Sequence, residues 1–191
     1  MTAQIILASA SPRRRELLDQ IGVRYEVCPV DIDETPKMAE PPLVYVQRVA
    51  AEKSAACAVI TGVSKPVLAA DTAVILNGNI LGKPLGRDQG LSMLRQLSGT
   101  THHVFSAISL RGRHHEEAVS ITEVTFRQLS EAEIAAYWET GEPDDKAGAY
   151  AIQGLGSIFV KTINGSFSGV MGLPLYETAE LLAKQGIEIL R

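Results

Sequence analysis

The spacing of apolar residues changes several times along this chain, and each change marks an element. Ile5-Ile6-Leu7-Ala8 is a short continuous apolar run, the pattern of a buried strand. It enters Ser9-Ala10-Ser11-Pro12, where Ser11 suits a helix N-cap and Pro12 the first helical position, whose N–H would lack a partner anyway. Leu17, Leu18 and Ile21 then share one helical face, and Gly22 stops the helix. Residues 25–30 read as a second strand, followed by an acidic loop over 31–36. Pro41-Pro42 opens a helix over 43–60 with Leu43, Val46, Val49 and Ala50 facing inward. Arg48, Glu52 and Lys53 interrupt it, and Glu52 and Lys53 read as solvated positions on this pattern alone.

Residues 66–70 deliver Asp71 and Thr72 to the end of what reads as a buried parallel strand, although Ala73-Val74-Ile75-Leu76 stays apolar. Asn77-Gly78 is a hairpin turn that returns through 79–81 to Gly82-Lys83-Pro84. A helix over Arg87–Leu97 turns Leu91, Leu94 and Leu97 inward and closes at Ser98-Gly99. Residues 102–110 and 117–126 alternate as two long strands with one wet face. Ser130-Glu131-Ala132-Glu133 is a capping box for a helix running to Thr140. Residues 141–156 mix glycine, charge and the amide of Gln153, and read as an irregular binding loop outside the core. A strand over 157–163, a turn at Asn164-Gly165 and a helix over 175–185 after Gly172-Leu173-Pro174 complete the chain. The pattern predicts one α/β domain over 1–191, with no repeat, low-complexity tract or linker.

Four stretches carry candidate chemistry. Arg13, Arg14 and Arg15 crowd a helix start, whose dipole is already positive, so the trio fits a docked anion such as phosphate; a solvated basic turn is the other reading. Asp31, Asp33 and Glu34 suit a hard ion such as Mg²⁺, or form an acidic surface loop. A carboxylate at Asp71 is costly within a buried strand unless it is paired or metal-bound. Lys83, between Gly82 and Pro84, is mounted to reach a phosphate or is an exposed loop lysine. The pairs His102-His103 and His114-His115 do not chelate, because strand neighbours point to opposite faces.

Composition narrows the picture. The 191 residues are 46% apolar and 21% charged, as in ordinary globular proteins. A net charge of −4 and 5% aromatics argue against a nucleic-acid binder, whether by a broad basic surface or by base stacking. Cys28 and Cys57 have no metal-type spacing and suggest no disulfide framework, which predicts a cytoplasmic protein. No apolar run reaches membrane-spanning length, so no membrane association is expected. Ala8-Ser9-Ala10 lacks the preceding basic and apolar regions of a signal peptide.

Six stretches in order, Ser9-Ala10-Ser11-Pro12-Arg13-Arg14, Asp31-Ile32-Asp33-Glu34, Ala70-Asp71-Thr72, Gly82-Lys83-Pro84, Asp145-Lys146-Ala147-Gly148 and Gly172-Leu173-Pro174, resemble the Maf family of nucleoside triphosphate pyrophosphatases over essentially the whole chain. The resemblance implies an α/β fold like that of inosine triphosphatases: a mixed, twisted sheet with flanking helices, and two lobes around a central cleft. It implies hydrolysis between the α- and β-phosphates, giving a nucleoside monophosphate and pyrophosphate. Asp71 would be the catalytic carboxylate, with Glu34 its partner in holding a divalent cation, Mg²⁺ or Mn²⁺. Arg13, Lys53 and Lys83 would contact the triphosphate, with Ser9 at the turn. The set Arg13, Thr72 and Gln153 resembles the branch acting on dTTP and UTP, rather than the branch acting on 7-methyl-GTP. Modified pyrimidine nucleotides are expected substrates, their removal keeping non-standard nucleotides out of nucleic acids, and a homodimer is an expected assembly. The Gln153 amide offers both a donor and an acceptor to a pyrimidine edge. The competing reading is a non-enzymatic regulator of cell division that binds a nucleotide or a protein at septum formation.

Overall fold

The computed structural model describes residues 2–62 and 65–190, among which lie seven strands and six α-helices. In chain order they are β1 (Ile5–Leu7), α1 (Pro12–Gln20), β2 (Tyr25–Val27), α2 (Pro42–Thr61), β3 (Val67–Leu76), β4 (Asn79–Leu81), α3 (Arg87–Leu97), β5 (Thr101–Arg111), β6 (His115–Phe126), α4 (Glu131–Glu139), β7 (Val160–Asn164), α5 (Phe167–Met171) and α6 (Leu175–Lys184). Single 3₁₀ turns at Ala147–Ala149 and Leu155–Phe159 precede β7. The strands form one mixed sheet in the order β2-β1-β3-β5-β6-β7, with β4 folded back on β3. β1 is parallel to β2 and β3, and the other pairings are antiparallel.

β3 is the axis of the site. Its side chains alternate between two apolar layers, as a pleated strand requires. Leu68 and Ala70 pack with Leu17, Leu18, Leu181 and Leu182 from α1 and α6. On the opposite face, Ala73 and Ile75 pack with Val46 and Ala50 of α2, and Ala69 packs with Cys57. The alanines bring α2 close to the sheet. β3 pairs with β5 without interruption from Val67 to Ile75, so it does not end at Asp71-Thr72 as its sequence suggests. Its other edge is open there. The last bond from β1 runs from the Ala8 N–H to the Leu68 carbonyl, and β4 takes up the edge only at Val74. Asp71 and Thr72 therefore point to opposite faces of the sheet beside a gap in one edge, which lets both reach one cavity.

The local expectations hold where the chemistry is local. Asn77 and Gly78 both have positive φ, 51° and 79°, as a two-residue primed hairpin turn demands. Ser130 and Glu133 form the reciprocal capping box. Other expectations change. The second strand stops at Val27. Leu43 is exposed, and the inward stripe of α2 runs Val46, Val49, Ala50, Lys53, Ser54 and Cys57, so Lys53 is buried rather than solvated. The strand expected over 157–163 begins as a 3₁₀ turn and becomes β7 at Val160, and α5 forms where only a turn and loop are expected. The segment 141–156 is not outside the core: Ala149, Tyr150 and Ile152 pack with Phe126, Tyr137 and Phe159.

Candidate active site

The gap beside β3 opens into a cavity of about 710 Å³. Ser9, Arg13, Glu34, Lys53, Asp71, Thr72, Lys83 and Gln153 all line it. These eight come from six separate segments, so only the fold brings them together. Arg15 is exposed and does not line the cavity.

The β1–α1 turn supplies the first wall. Ser11 occupies the cap position of α1, but its hydroxyl makes no capping bond. The Ser9 hydroxyl acts there instead, accepting the Ser11 N–H at 3.2 Å and an N–H of Arg14 at 2.9 Å. Arg14 also donates from Nε to the Gly172 carbonyl at 2.9 Å, so its guanidinium joins the Ser9 turn to the turn before α6. Burial lowers the Arg14 pKa, against the pull of Asp71 and Glu34. The Arg13 guanidinium makes no hydrogen bond within the chain among the described residues and lies at the cavity wall.

The charged centre lies between α2, β3 and the 31–40 loop. The Lys53 ammonium sits 2.7 Å from Glu34 Oε2 and 3.0 Å from Asp71 Oδ1. Lys53 and Asp71 are buried, whereas Glu34 is half-exposed. Burial pushes the Asp71 carboxyl above its ordinary value, opposed by Lys53 and Arg14. A carboxyl raised in this way is poised to take a proton. Tyr45 also lines the cavity, and burial, with Asp71 and Glu34 adding to it, raises its phenol to about 12. The Glu34 loop is clamped to α2 by Arg48, which donates to Glu40 Oε1 at 2.6 Å, Glu40 Oε2 at 2.8 Å, Glu52 at 3.0 Å and the Thr35 carbonyl at 3.2 Å.

The opposite wall carries Lys83, Lys146 and Gln153. The Gly148 N–H donates to the Gly82 carbonyl at 3.1 Å, which ties the two lysine-bearing loops together. Gly148 has φ +69°, and a Cβ there would lie 3.0 Å from Val74, so the position is closed to other residues. The Gln153 loop is fixed by Tyr137, whose hydroxyl accepts the Ala151 N–H at 3.0 Å and donates to Glu142 at 2.7 Å. Glu142 in turn accepts the N–H groups of Leu155 and Gly156. Thr72 meets Ser106 at 2.8 Å on the far face of β3.

Tyr45 and Lys146 are site residues to which the sequence gives no role, and Arg14 is named there only as one of three arginines at the helix start. Arg14 adjoins Arg13 and Lys146 lies in a recognised stretch, but the partner that separates Arg14 from Arg15 is Gly172, which lies 158 positions away. Among the described residues no three His, Cys, Asp or Glu side chains gather as a metal-binding group. Glu34 and Asp71 nonetheless offer two carboxylates facing one cationic point. That donor set fits Mg²⁺ or Mn²⁺, which take phosphate oxygens and waters for the rest of their shell. The free thiols Cys28 and Cys57 pack in one apolar cluster behind the site. Among the described residues, no helix is long and apolar enough to cross a membrane.

Residues 4–185 match the family model of Maf-like proteins. A protein of Methylococcus capsulatus named dTTP/UTP pyrophosphatase is 54% identical over 185 residues, which cover 96% of this chain and 92% of that relative. Relatives with the same name from Colwellia psychrerythraea (51% identity; 96% and 89% covered) and Anaeromyxobacter dehalogenans (51%; 99% and 97%) match as fully. Among solved structures, a HAM1 protein from Coxiella burnetii aligns with a TM-score of 0.56 at 15% identity, covering 96% of this chain and 100% of that one. That likeness is one of fold.

Proposed function

The chain belongs to the Maf family, and from that membership we propose that it hydrolyses dTTP and UTP to the nucleoside monophosphate and pyrophosphate. The observation that carries this reading to the residues is their convergence: cations on both walls of one cavity, around a buried carboxylate joined to Lys53.

Phosphoryl transfer asks little covalent chemistry of a protein; it needs positioning and neutralisation of charge on the phosphate oxygens. Arg13 and Arg14 on one wall and Lys83 and Lys146 on the other would bracket the triphosphate tail. Asp71, with its raised pKa, would orient or deprotonate the attacking water. Glu34 and Asp71 would hold a divalent cation, which when bound polarises the phosphate and lowers the pKa of its water. Gln153 and Thr72 would contact the nucleoside. Modified pyrimidine nucleotides would use the same phosphate contacts. Two free thiols support a reducing compartment, hence the cytoplasm.

A panel of nucleoside triphosphates, assayed for pyrophosphate release with Mg²⁺ or Mn²⁺, tests the proposal. dTTP and UTP should lead the panel, with purine and 7-methyl-GTP substrates well behind. Release of orthophosphate instead of pyrophosphate would refute the assigned bond.

A further inference from the structure

Lys53 is the one cation that touches both site carboxylates among the described residues. It is 8% exposed and lies on the inward stripe of α2. A buried ammonium is stable only beside anions, and Glu34 and Asp71 supply them. The oxygens it contacts belong to the two carboxylates proposed to bind the divalent cation. An ammonium and a divalent cation held side by side between them would repel strongly in so buried a place.

The two cations nearest this centre are held differently. The Arg14 guanidinium is fixed by the Ser9 hydroxyl and the Gly172 carbonyl, both at 2.9 Å. Lys53 has no such anchor: its hydrogen bonds among the described residues go only to the two carboxylates. Lysine is also a compact charge on a flexible stem, able to swing to a new anion without losing a planar fork of bonds. The cavity it faces is walled by Arg13, Lys83 and Lys146, which suits it to receive a polyanion.

We infer that Lys53 competes with the divalent cation for Glu34 and Asp71, and that a bound triphosphate relieves the competition by offering the ammonium another anion. Cation and nucleotide therefore bind cooperatively, each raising the affinity of the other by the same factor. Lys53 is then a gate on cation binding as well as a phosphate contact. The inference rests on the proposed reading of the site.

The test is Mn²⁺ binding to the full chain, read from the EPR signal of free Mn²⁺, with and without dTTP carrying a methylene bridge between the α- and β-phosphorus. The wild type should bind Mn²⁺ weakly alone and about tenfold more tightly with the analogue, within the range of roughly 5–150-fold usual for coupled sites. Lys53→Met should bind Mn²⁺ more tightly than wild type without the analogue, and the analogue should then add little. Lys53→Arg keeps the charge but grips the carboxylates with a fork, so it should bind Mn²⁺ alone more weakly than wild type. Lys83→Met removes a cavity charge outside the Glu34–Lys53–Asp71 contacts and should keep the coupling. The inference is overturned if Lys53→Met and Lys53→Arg both bind Mn²⁺ as wild type does, or if the analogue tightens Mn²⁺ equally in every variant. Mn²⁺ binding to none of the proteins, with or without the analogue, would instead overturn the cation site itself.

Discussion

On the α2 side of the cavity the charged groups are bonded to one another; on the loop side Lys83 and Gln153 have no hydrogen bond within the chain among the described residues. The packing beneath each side differs in the same sense. Ala8, Ala50, Ala69 and Ala73 let α2 approach the sheet until Lys53 reaches Asp71. The other side stands on rings: Phe126, Tyr137, Tyr150 and Phe159 meet edge to face beneath the loop that carries Gln153. Small residues place a rigid charged centre, whereas bulky rings mount loops on which Lys83 and Gln153 stay free, although Lys146 beside them pairs with Asp145. Arg13, unbonded at the lip of the first side, is its exception. A preorganised centre suits the step in which charge develops, and free tips suit a substrate that must enter and leave.

The widest gap between the two sides should appear with Asp71→Asn. If the bonded centre does the chemistry, turnover of dTTP should fall by roughly 10²–10⁴-fold, the usual cost of removing a general base, with KM nearly unchanged. Single-turnover kinetics would show it, and a mere shift in KM would erase the distinction. Acid should separate the sides next. His102 is fully buried against Phe126 and Tyr150, and burial, with His103 adding to it, lowers its pKa to about 4. In the unfolded chain it returns to about 6.5. Between those values the unfolded chain binds the extra proton, so stability rises with pH from about 4 to about 6.5 and is lost on acidification. At about 1.4 kcal/mol per unit of pKa, the loss is roughly 3 kcal/mol. Urea unfolding of wild type and His102→Gln at pH 7 and pH 4.5 should show a smaller loss in the variant. Equal losses would remove the ring side as the acid-sensitive one.

The same division explains what the sequence discloses. Signals set by near neighbours are legible: Pro12 opens α1, Asn77-Gly78 turns the β3–β4 hairpin, and Ser130 with Glu133 caps α4. Lys53 reads as a solvated interruption because it is charged, yet it falls on the same helical face as Val46, Val49, Ala50 and Cys57 and is buried there. Signals set by distant partners are not legible. Asp71 reads as a strand end because the pairing that carries β3 onward is with β5 residues such as Phe105 and Val104, distant in the chain. Tyr150 and Ile152 look like loop residues because Gly148, Gly154 and Gly156 surround them, yet they fill the core. Arg13, Glu34, Asp71 and Lys83 stand out by residue type and placement, and the family resemblance adds Ser9, Lys53, Thr72 and Gln153; their meeting in one cavity does not follow from any periodicity in the chain.

The hold on Glu34 offers a smaller test of the bonded side. Arg48 grips Glu40 with two bonds and reaches the Thr35 carbonyl, so it sets where the loop presents Glu34 to Lys53. The guanidinium holds the Glu40 carboxyl well down, at about 2, so the clamp stays charged until strongly acid pH, and the stability it contributes, fully present above about 4.5, is lost as pH falls through about 2. Arg48→Met should reduce kcat/KM by roughly 10–100-fold, the usual effect of losing a residue that orients a ligand-bearing carboxylate. Arg48→Lys should restore little of it, because lysine has no fork to match both Glu40 oxygens. Full activity in Arg48→Met would mean that the loop finds its place unaided.

Gln153 is the finest probe of the free side. It is exposed at the cavity wall, on a loop held by Tyr137 and Glu142 on either flank. The loop backbone is therefore fixed while the amide itself is unbonded and ready to pair. A contact to the base, far from the reacting phosphates, is made equally in the ground state and the transition state. Its loss should raise KM and leave kcat alone. One such hydrogen bond is worth about 1 kcal/mol, so Gln153→Ala should raise KM for UTP roughly five- to tenfold and narrow its margin over purine triphosphates. Gln153→Glu, which keeps the acceptor and discards the donor, should fall on the same line with a larger KM, since it also adds a negative charge to a cavity that must receive a polyanion. A drop in kcat with KM unchanged would place Gln153 among the bonded groups in function though not in structure, and the two sides would then differ in packing alone.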